Sequence, residues 1–573
     1  MMKFYKPLLL LSLTLELLFN NANAQSYQWA KSIGGSNSDV GSSIAIDAAG
    51  NIYTAGAFQS NVDFDPGLGV TSLVSSGSFD IFVTKFDATG KFIWAKSMGG
   101  LLDDRAFGIA LDASGNIYTT GYFKGTVDFN PDATAVASLT SVGDDDMFVS
   151  KLDATGNYVW VKQIGGLGVE RGKSICVDGS GNVLTTGYFS GITDFDPSTS
   201  INTLSSTAST FDIFVLKLSP LGNYIWARKF GASSLDEGHA ITTDAAGNSY
   251  VTGEYGGSVD FDPGSLINNL NCAGVYDVFV LKLDASGNFG WAKSLGGQSY
   301  DSGAGIALDA SGNVYTTGLF GDVCDFDPGN AVVNLTAAGG IVDKDIFISK
   351  LSTTGTFVWA KRMGDIDDDW ATSIALDGAG NVYSTGVFHG TVDFDPGAGV
   401  SNLSTGFGTE IYISKLDAIG NFVFAKQVGG NIDDDATCIK VDAAGNNIYV
   451  TGEFQSTGSD FDPGTGVAAL NSLGSYDAFI LKLSKFGSGF TTEKQSAFFN
   501  IYPNPTKGEL TISIPLSIAE VSVTVYDALG KVVYCENLGE HSNTINVSAL
   551  SKGIYTMTIE NNDFHQSKIF IKD

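Results

Sequence analysis

The chain has 573 residues with 71 Gly, 12 Pro and 5 Cys, and its 62 Asp and Glu against 32 Lys and Arg give a net charge of −30. A hydrophobic share of 43% with 12% aromatic residues excludes an acidic disordered polymer. An acidic surface of this kind repels phosphate backbones and anionic lipid heads, which excludes nucleic acid as a partner.

The N-terminus places Lys3 and Lys6 before an apolar run from Leu8 to Phe19, interrupted by Glu16, and then Ala22-Asn23-Ala24. A basic start, a short apolar stretch and a small-x-small site predict a secretory signal peptide over 1–24, cleaved after Ala24. No later stretch is apolar for ~18 residues, so no transmembrane span is expected in the mature chain.

A repeated phrase begins immediately. It reads Trp29-Ala30-Lys31, Trp94-Ala95-Lys96, Trp160-Val161-Lys162, Trp226-Ala227-Arg228, Trp291-Ala292-Lys293, Trp359-Ala360-Lys361 and Phe424-Ala425-Lys426, at spacings of 65, 66, 66, 65, 68 and 65 residues. Each unit holds four β-type runs, for example Ile306-Ala307-Leu308-Asp309, then Val314 to Phe320, then Asp345 to Leu351, then Phe357 to Lys361. Four short strands per unit with turn signals at fixed offsets is the pattern of a propeller blade. The chain opens on a fourth-strand phrase with no strands before it, and the array ends on strands one to three with no fourth after them. The expected fold is therefore all-β: a seven-bladed β-propeller of four-stranded blades over 25–490, closed 3+1 by the N-terminal strand.

Innermost-strand positions Ala45, Ala110, Cys176, Thr242, Ala307 and Ala375 are small, and Lys440 departs from them. Trp370 and His389 also depart from their repeated surroundings. Cys272 and Cys324 lie in corresponding connections of adjacent units, where an oxidising exterior offers a disulfide and a pair of free thiols is the alternative.

Two acidic elements recur. Asp-Phe-Asp-Pro-Gly occurs at Asp63 to Gly67, Asp260 to Gly264, Asp325 to Gly329, Asp393 to Gly397 and Asp460 to Gly464, with variants from Asp128 and Asp194. Two carboxylates two residues apart on an extended segment point the same way. This makes Asp63, Asp65, Asp260, Asp262, Asp325, Asp327, Asp393, Asp395, Asp460 and Asp462 candidate Ca²⁺ ligands, Ca²⁺ being the one cofactor the sequence suggests. The competing reading is a Pro-Gly turn whose first Asp caps backbone amides while Phe anchors the loop. The second element follows each Trp-Ala-Lys strand, as in Asp103-Asp104 and Asp367-Asp368-Asp369. In a four-stranded meander both emerge on the same rim. His239, His389, His541 and His565 form no metal-ligand spacing, and no nucleophile elbow or phosphate loop is present.

After about 490 the character changes, and 491–573 alternate β-branched and aromatic residues between Gly, Asn and Pro, which predicts a small β-sandwich. Tyr502-Pro503-Asn504-Pro505, Leu529-Gly530-Lys531 and Lys552-Gly553-Ile554-Tyr555 occur in that order. This tail resembles the C-terminal sorting domain of the type IX secretion system of Bacteroidetes-type bacteria. The resemblance implies export across the outer membrane by the type IX machinery, with a sortase removing the tail.

The repeats resemble the bacterial secreted beta-propeller repeat family, whose unit carries Asp-x-x-Gly-Asn-x-Tyr-x-x-Gly and then an Asp-Phe-Pro element. Asp309 to Gly318 fits the first part, and Asp-Phe-Asp-Pro-Gly replaces the second. The family implies fold and extracellular location but no single activity. The expected function is a secreted, non-catalytic, monomeric binding or adhesion module acting outside the cell on a polysaccharide or surface protein. The alternative is an extracellular polysaccharide-active enzyme with an axial carboxylate site.

Overall fold

The computed structural model describes residues 25–132, 134–208, 210–340, 343–455, 457–485, 500–513, 521–527, 531–538, 544–560 and 565–573. The expected signal peptide lies outside them. The chain divides into two compact units between Phe486 and Gly487. Every regular element among the described residues is a β-strand, and none of the described residues forms a helix long and apolar enough to cross a membrane.

The first unit repeats one motif. Arg105–Leu111, Ile117–Phe123, Asp146–Leu152 and Tyr158–Gly166 pair antiparallel in chain order. The same meander recurs from Val40, Glu170, Glu237, Ser302 and Trp370. In one more sheet, Asp434–Val441, Asn447–Phe454 and Asp477–Lys485 supply three strands, and Gln25–Ile33 supplies the fourth. That last ladder runs from Gln25↔Lys485 to Ile33↔Ala478. Each first strand touches the first strand of the next sheet, and Asp434–Val441 touches Val40–Ile46, so the sheets close into a ring.

Sequence chemistry explains the stacking. The second and third strands are apolar on both faces because each is covered on both sides; all seven residues of Ile117–Phe123 are buried. The Phe of every Asp-Phe-Asp-Pro or Asp-Phe-Asn-Pro loop is fully buried. Phe195 meets Phe189 edge-on at 5.2 Å and Phe214 at 5.3 Å, and the other units repeat this trio. Each such Phe contributes about 1.5–3 kcal/mol through burial. The tryptophans tie one sheet to the next. Trp29 lies under the turn of the following unit, where Gly90 holds φ 82° and a Cβ would come within 2.6 Å of the indole; a left-handed glycine is required there.

The loop hairpins join neighbours too. Gly99 and Gly100, at the end of one fourth strand, pair with Asp128 and Val127 of the next unit. This brings the fourth-strand ends and the Asp-Phe-Asp-Pro-Gly loops to one side of the ring, as the meander geometry implies. A buried carboxylate locks each junction: Asp104 accepts the amides of Gly100 at 2.8 Å and Lys124 at 2.9 Å. Asp39, Asp236, Asp301, Asp369 and Asp434 repeat that bond pair, and Glu170 substitutes with one amide and the Thr193 hydroxyl. Much of the acidic excess on this rim is therefore internal structure. Cys272 and Cys324 are not joined: the Cys272 thiol donates to Asp277 at 3.4 Å and Cys324 is buried.

In the second unit, Asn500–Tyr502, Glu509–Ser513 and Thr544–Asn546 form one antiparallel sheet. Val521–Tyr526, Val532–Leu538, Gly553–Glu560 and His565–Lys572 form another. Leu510, Ile512 and Ile545 from the first share one apolar core with Val523, Met557 and Phe570 from the second.

Candidate functional site

The ten carboxylates singled out in the sequence lie in five separate loops. The Asp63 carboxylate accepts the amides of Asp65 at 3.1 Å and Thr71 at 2.8 Å, and that of Asp65 accepts the amide of Gly67 at 2.9 Å. Asp260 and Asp262 do the same with Asn268 and Gly264, Asp325 and Asp327 with Val333 and Gly329. Asp393 and Asp395 hold Ser401 and Gly397, and Asp460 and Asp462 hold Ala468 and Gly464. These carboxylates organise their own loops. Among the described residues no three His, Cys, Asp or Glu gather where they could hold a metal.

A different set of residues converges on the ring axis. Every first strand carries a β-bulge at the same place: the ladder slips between Gly41 and Ser43, Ala106 and Gly108, Gly172 and Ser174, Gly238 and Ala240, Gly303 and Gly305, Ala371 and Ser373, and Ala436 and Cys438. The extra residue is outside the ladder, so its side chain is free to turn toward the axis. These residues are Ser42, Phe107, Lys173, His239, Ala304, Thr372 and Thr437, and all seven line or border a cavity of about 380 Å³. Lys440, the departure noted in the sequence, lines the same cavity.

Three of the bulge residues grip the next sheet. Thr372 and Thr437 donate to the carbonyls of Ala436 at 2.6 Å and Gly41 at 2.5 Å, and His239 Nδ1 lies 3.1 Å from the carbonyl of Gly303. Lys173 behaves differently. Its ammonium sits 4.8 Å from the centroid of Phe107 and 5.6 Å from that of Tyr188, with no hydrogen bond or ion pair to any described residue. The surrounding protein disfavours its charge, which lowers its pKa, while Glu237 and Glu254 oppose that shift.

Two residues before each bulge residue, just outside the residues that line the cavity, stand cross-strand pairs between the start of each first strand and the end of each second, here called its mouth. Repeat symmetry fails there: the pairs are Val40↔Ala57, Arg105↔Tyr122, Arg171↔Tyr188, Glu237↔Glu254, Ser302↔Leu319, Trp370↔Val387 and Asp435↔Glu453. Arg105 is tied to Asp103 at 3.2 Å and stacks 3.7 Å over Phe79. Arg171 is tied to Asp145 at 2.5 Å and lies over Tyr122, while Tyr188 stacks on Phe211 at 4.6 Å. Tyr300 donates to Glu254 at 2.5 Å. Burial, reinforced by Asp435, pushes Glu453 up to about 7, and Arg105 partly offsets this. His389, noted earlier, donates its amide to Asp369 and does not line the cavity. The mouth and the cavity below it thus offer donors and acceptors beside partly exposed Phe107 and Trp370, a set suited to holding a polar organic ligand.

Sequence reasoning missed Arg105, Phe107, Arg171, Lys173, Glu237 and Glu254 as a group. The available signal is a superposition of the repeats: the residues two and four before the shared Ile44, Ile109, Ile175, Ile241, Ile306, Ile374 and Ile439 differ in nearly every unit, whereas the residue between them is always Gly or Ala.

The family described as beta-propeller repeat matches residues 28–65, 225–254 and 290–319, and the family described as secretion system C-terminal sorting domain matches 500–573. An uncharacterized WD repeat-containing protein, L264, of Acanthamoeba polyphaga mimivirus is 25% identical over 477 residues, which cover 70% of this chain and 34% of the relative. The regulatory protein FlaEY of Caulobacter vibrioides is 27% identical over 172 residues, covering 29% of this chain and 18% of its own. The chain thus spans about a third of the length of the first relative and less of the second. An extracellular domain assigned to a one component system of B. thetaiotaomicron aligns over 93% of this chain and 73% of its own, at 12% identity and a TM-score of 0.24. The chain carries secreted beta-propeller repeats and a type IX secretion sorting domain, and it is an extracellular or cell-surface protein.

Proposed function

We propose that this protein is a non-catalytic binding module: a seven-bladed propeller over 25–490, closed by its N-terminal strand, that holds an extracellular ligand at the mouth of its axial cavity. Residues 1–24 are its export signal. Residues 491–573 are a β-sandwich that engages the type IX machinery and is removed by a sortase. The circle of contacting first strands and the pairing of Gln25–Ile33 with Asp477–Lys485 support the blade count and the closure. One observation carries the binding reading. The units agree in sequence wherever packing requires it and diverge at the bulges and mouth pairs; apart from Thr372, Thr437 and His239, which bond the next sheet, the divergent positions serve something other than the fold.

A glycan array read together with an assay for newly released reducing ends tests this. Retention without release is expected. Arg171→Ala should weaken retention about tenfold, or ~1.4 kcal/mol, and Val400→Ser, at an exposed loop tip, should not. The enzyme reading has its own support in the acid pairs Glu237↔Glu254 and Asp435↔Glu453 at the mouth, and release of reducing ends abolished by Glu254→Gln would establish it.

The Asp-Phe-Asp-Pro-Gly carboxylates act as loop caps in this proposal. Chelation with EDTA should leave the melting temperature where it was. A fall that added calcium reverses would assign Asp63, Asp65 and their counterparts to a bound cation.

A further inference from the structure

Resting on the mouth as the ligand site, we infer that the axial cavity receives the end of a neutral glycan chain, whose terminal hydroxyls bridge the Lys173 ammonium to the Glu237 and Glu254 carboxylates.

Three features narrow the ligand class. The first is Lys173 itself: it lines the cavity partly exposed, and its ammonium has no acceptor among the described residues, so its three donors are open to a ligand. The second is the balance of charge around it. Arg105 and Arg171 are already neutralised by Asp103 and Asp145. An anionic group approaching Lys173 meets Glu237, Glu254, Asp435 and Glu453 at the mouth, and a cationic one meets Lys173 and Lys440 within. A hydroxyl suits both sides, because it accepts from an ammonium while donating to a carboxylate. Partly exposed Phe107, which lines the cavity, supplies apolar surface for the C–H side of a sugar ring.

The third feature is shape. A cavity of about 380 Å³ is at the small end of ligand sites, which span ~300–1,000 Å³. It is walled on all sides by the circle of first strands, so a polymer has no lateral exit and enters only by a terminus.

The test uses the exported protein with fluorescent linear malto-, cello-, xylo- and manno-oligosaccharides, their parent polymers, and oligogalacturonates as acidic probes. At least one neutral oligosaccharide should bind. Its polymer should compete in proportion to chain ends and not to mass. Lys173→Met should weaken binding about tenfold with an unchanged circular dichroism spectrum. Lys173→Arg, which keeps a donor, should retain most of the affinity, and it serves as the informative variant if Lys173→Met does not fold. Failure of every neutral probe, preference for oligogalacturonate, or competition by mass overturns the inference. If binding then still falls with Arg171→Ala, the mouth remains the site and only the ligand class is wrong. Binding indifferent to both Lys173 and Arg171 removes the mouth as well.

Discussion

Removing residues 25–33 is expected to lower the melting temperature by about 10 °C or more, which at no more than ~2–4 °C per kcal/mol in a unit of this size is a loss of at least ~2.5 kcal/mol, and to make the protein associate. The deleted strand buries Ala30 and Ile33 and supplies the whole ladder against Asp477–Lys485. Its loss leaves Asp477–Lys485 as an open apolar edge, and such an edge recruits strands from other copies. Light scattering should therefore report concentration-dependent dimers or larger species. A synthetic peptide of residues 25–33 added during refolding should restore the monomer. A truncated chain that stays monomeric with an unchanged melt would show that the ring does not depend on this closure.

Stability is expected to be greatest near pH 5 and to fall steadily toward pH 8. Burial pushes Asp39, Asp104, Asp236 and Asp301 up to about 7, and Glu170 and Asp369 up to about 8, although the amides they accept oppose the shift. A carboxyl whose folded pKa exceeds its unfolded value of ~4 binds its proton more tightly in the folded ring. Its stabilisation is complete below the unfolded pKa and is lost as pH rises through 7 to 8. The turn carboxylates Asp47, Asp112, Asp244 and Asp309 behave oppositely. Although burial alone would raise them, amide and side-chain donors more than offset it and hold them below their usual range. Their contribution is present above the unfolded pKa and disappears as pH falls through the folded one, which sets the acid limit. Melting curves from pH 3 to 9 read both arms. Asp104→Asn, which has no proton to exchange there, should flatten the alkaline arm; a profile identical to the parent's would reject this origin.

The turn glycines, the Trp recurring in six fourth strands with Phe424 in the seventh, and the buried loop Phe were legible in the sequence because packing imposes nearly the same residue on every unit. Trp94 recurs at Trp160 and Trp226 since each faces the same glycine turn. The expected gathering of two acidic elements on one rim was readable too, but not that Asp104 and its counterparts turn inward; burial is invisible in a charge run. The axial site was hidden for another reason. A bulge is a property of hydrogen-bond register, and Arg171-Gly172-Lys173-Ser174-Ile175 reads as an ordinary alternating strand until its partner Gly187 is known. Lys440 follows the slip, so it stands out as a departure from a small-residue position without any knowledge of the register.

The bulges also separate what this protein is from what it holds. A residue outside the ladder bears no cross-strand bond, so replacing Phe107, Lys173 or Ala304 leaves the hydrogen-bonded frame as it was. Seven such positions stand around one circle, each in a separate copy of the repeat, and those other than Thr372, Thr437 and His239, which bond the next sheet, are able to mutate on their own. Duplication supplies the scaffold, and drift at one position per copy is enough to change the cargo, so relatives sharing this frame are free to differ completely in what they recognise.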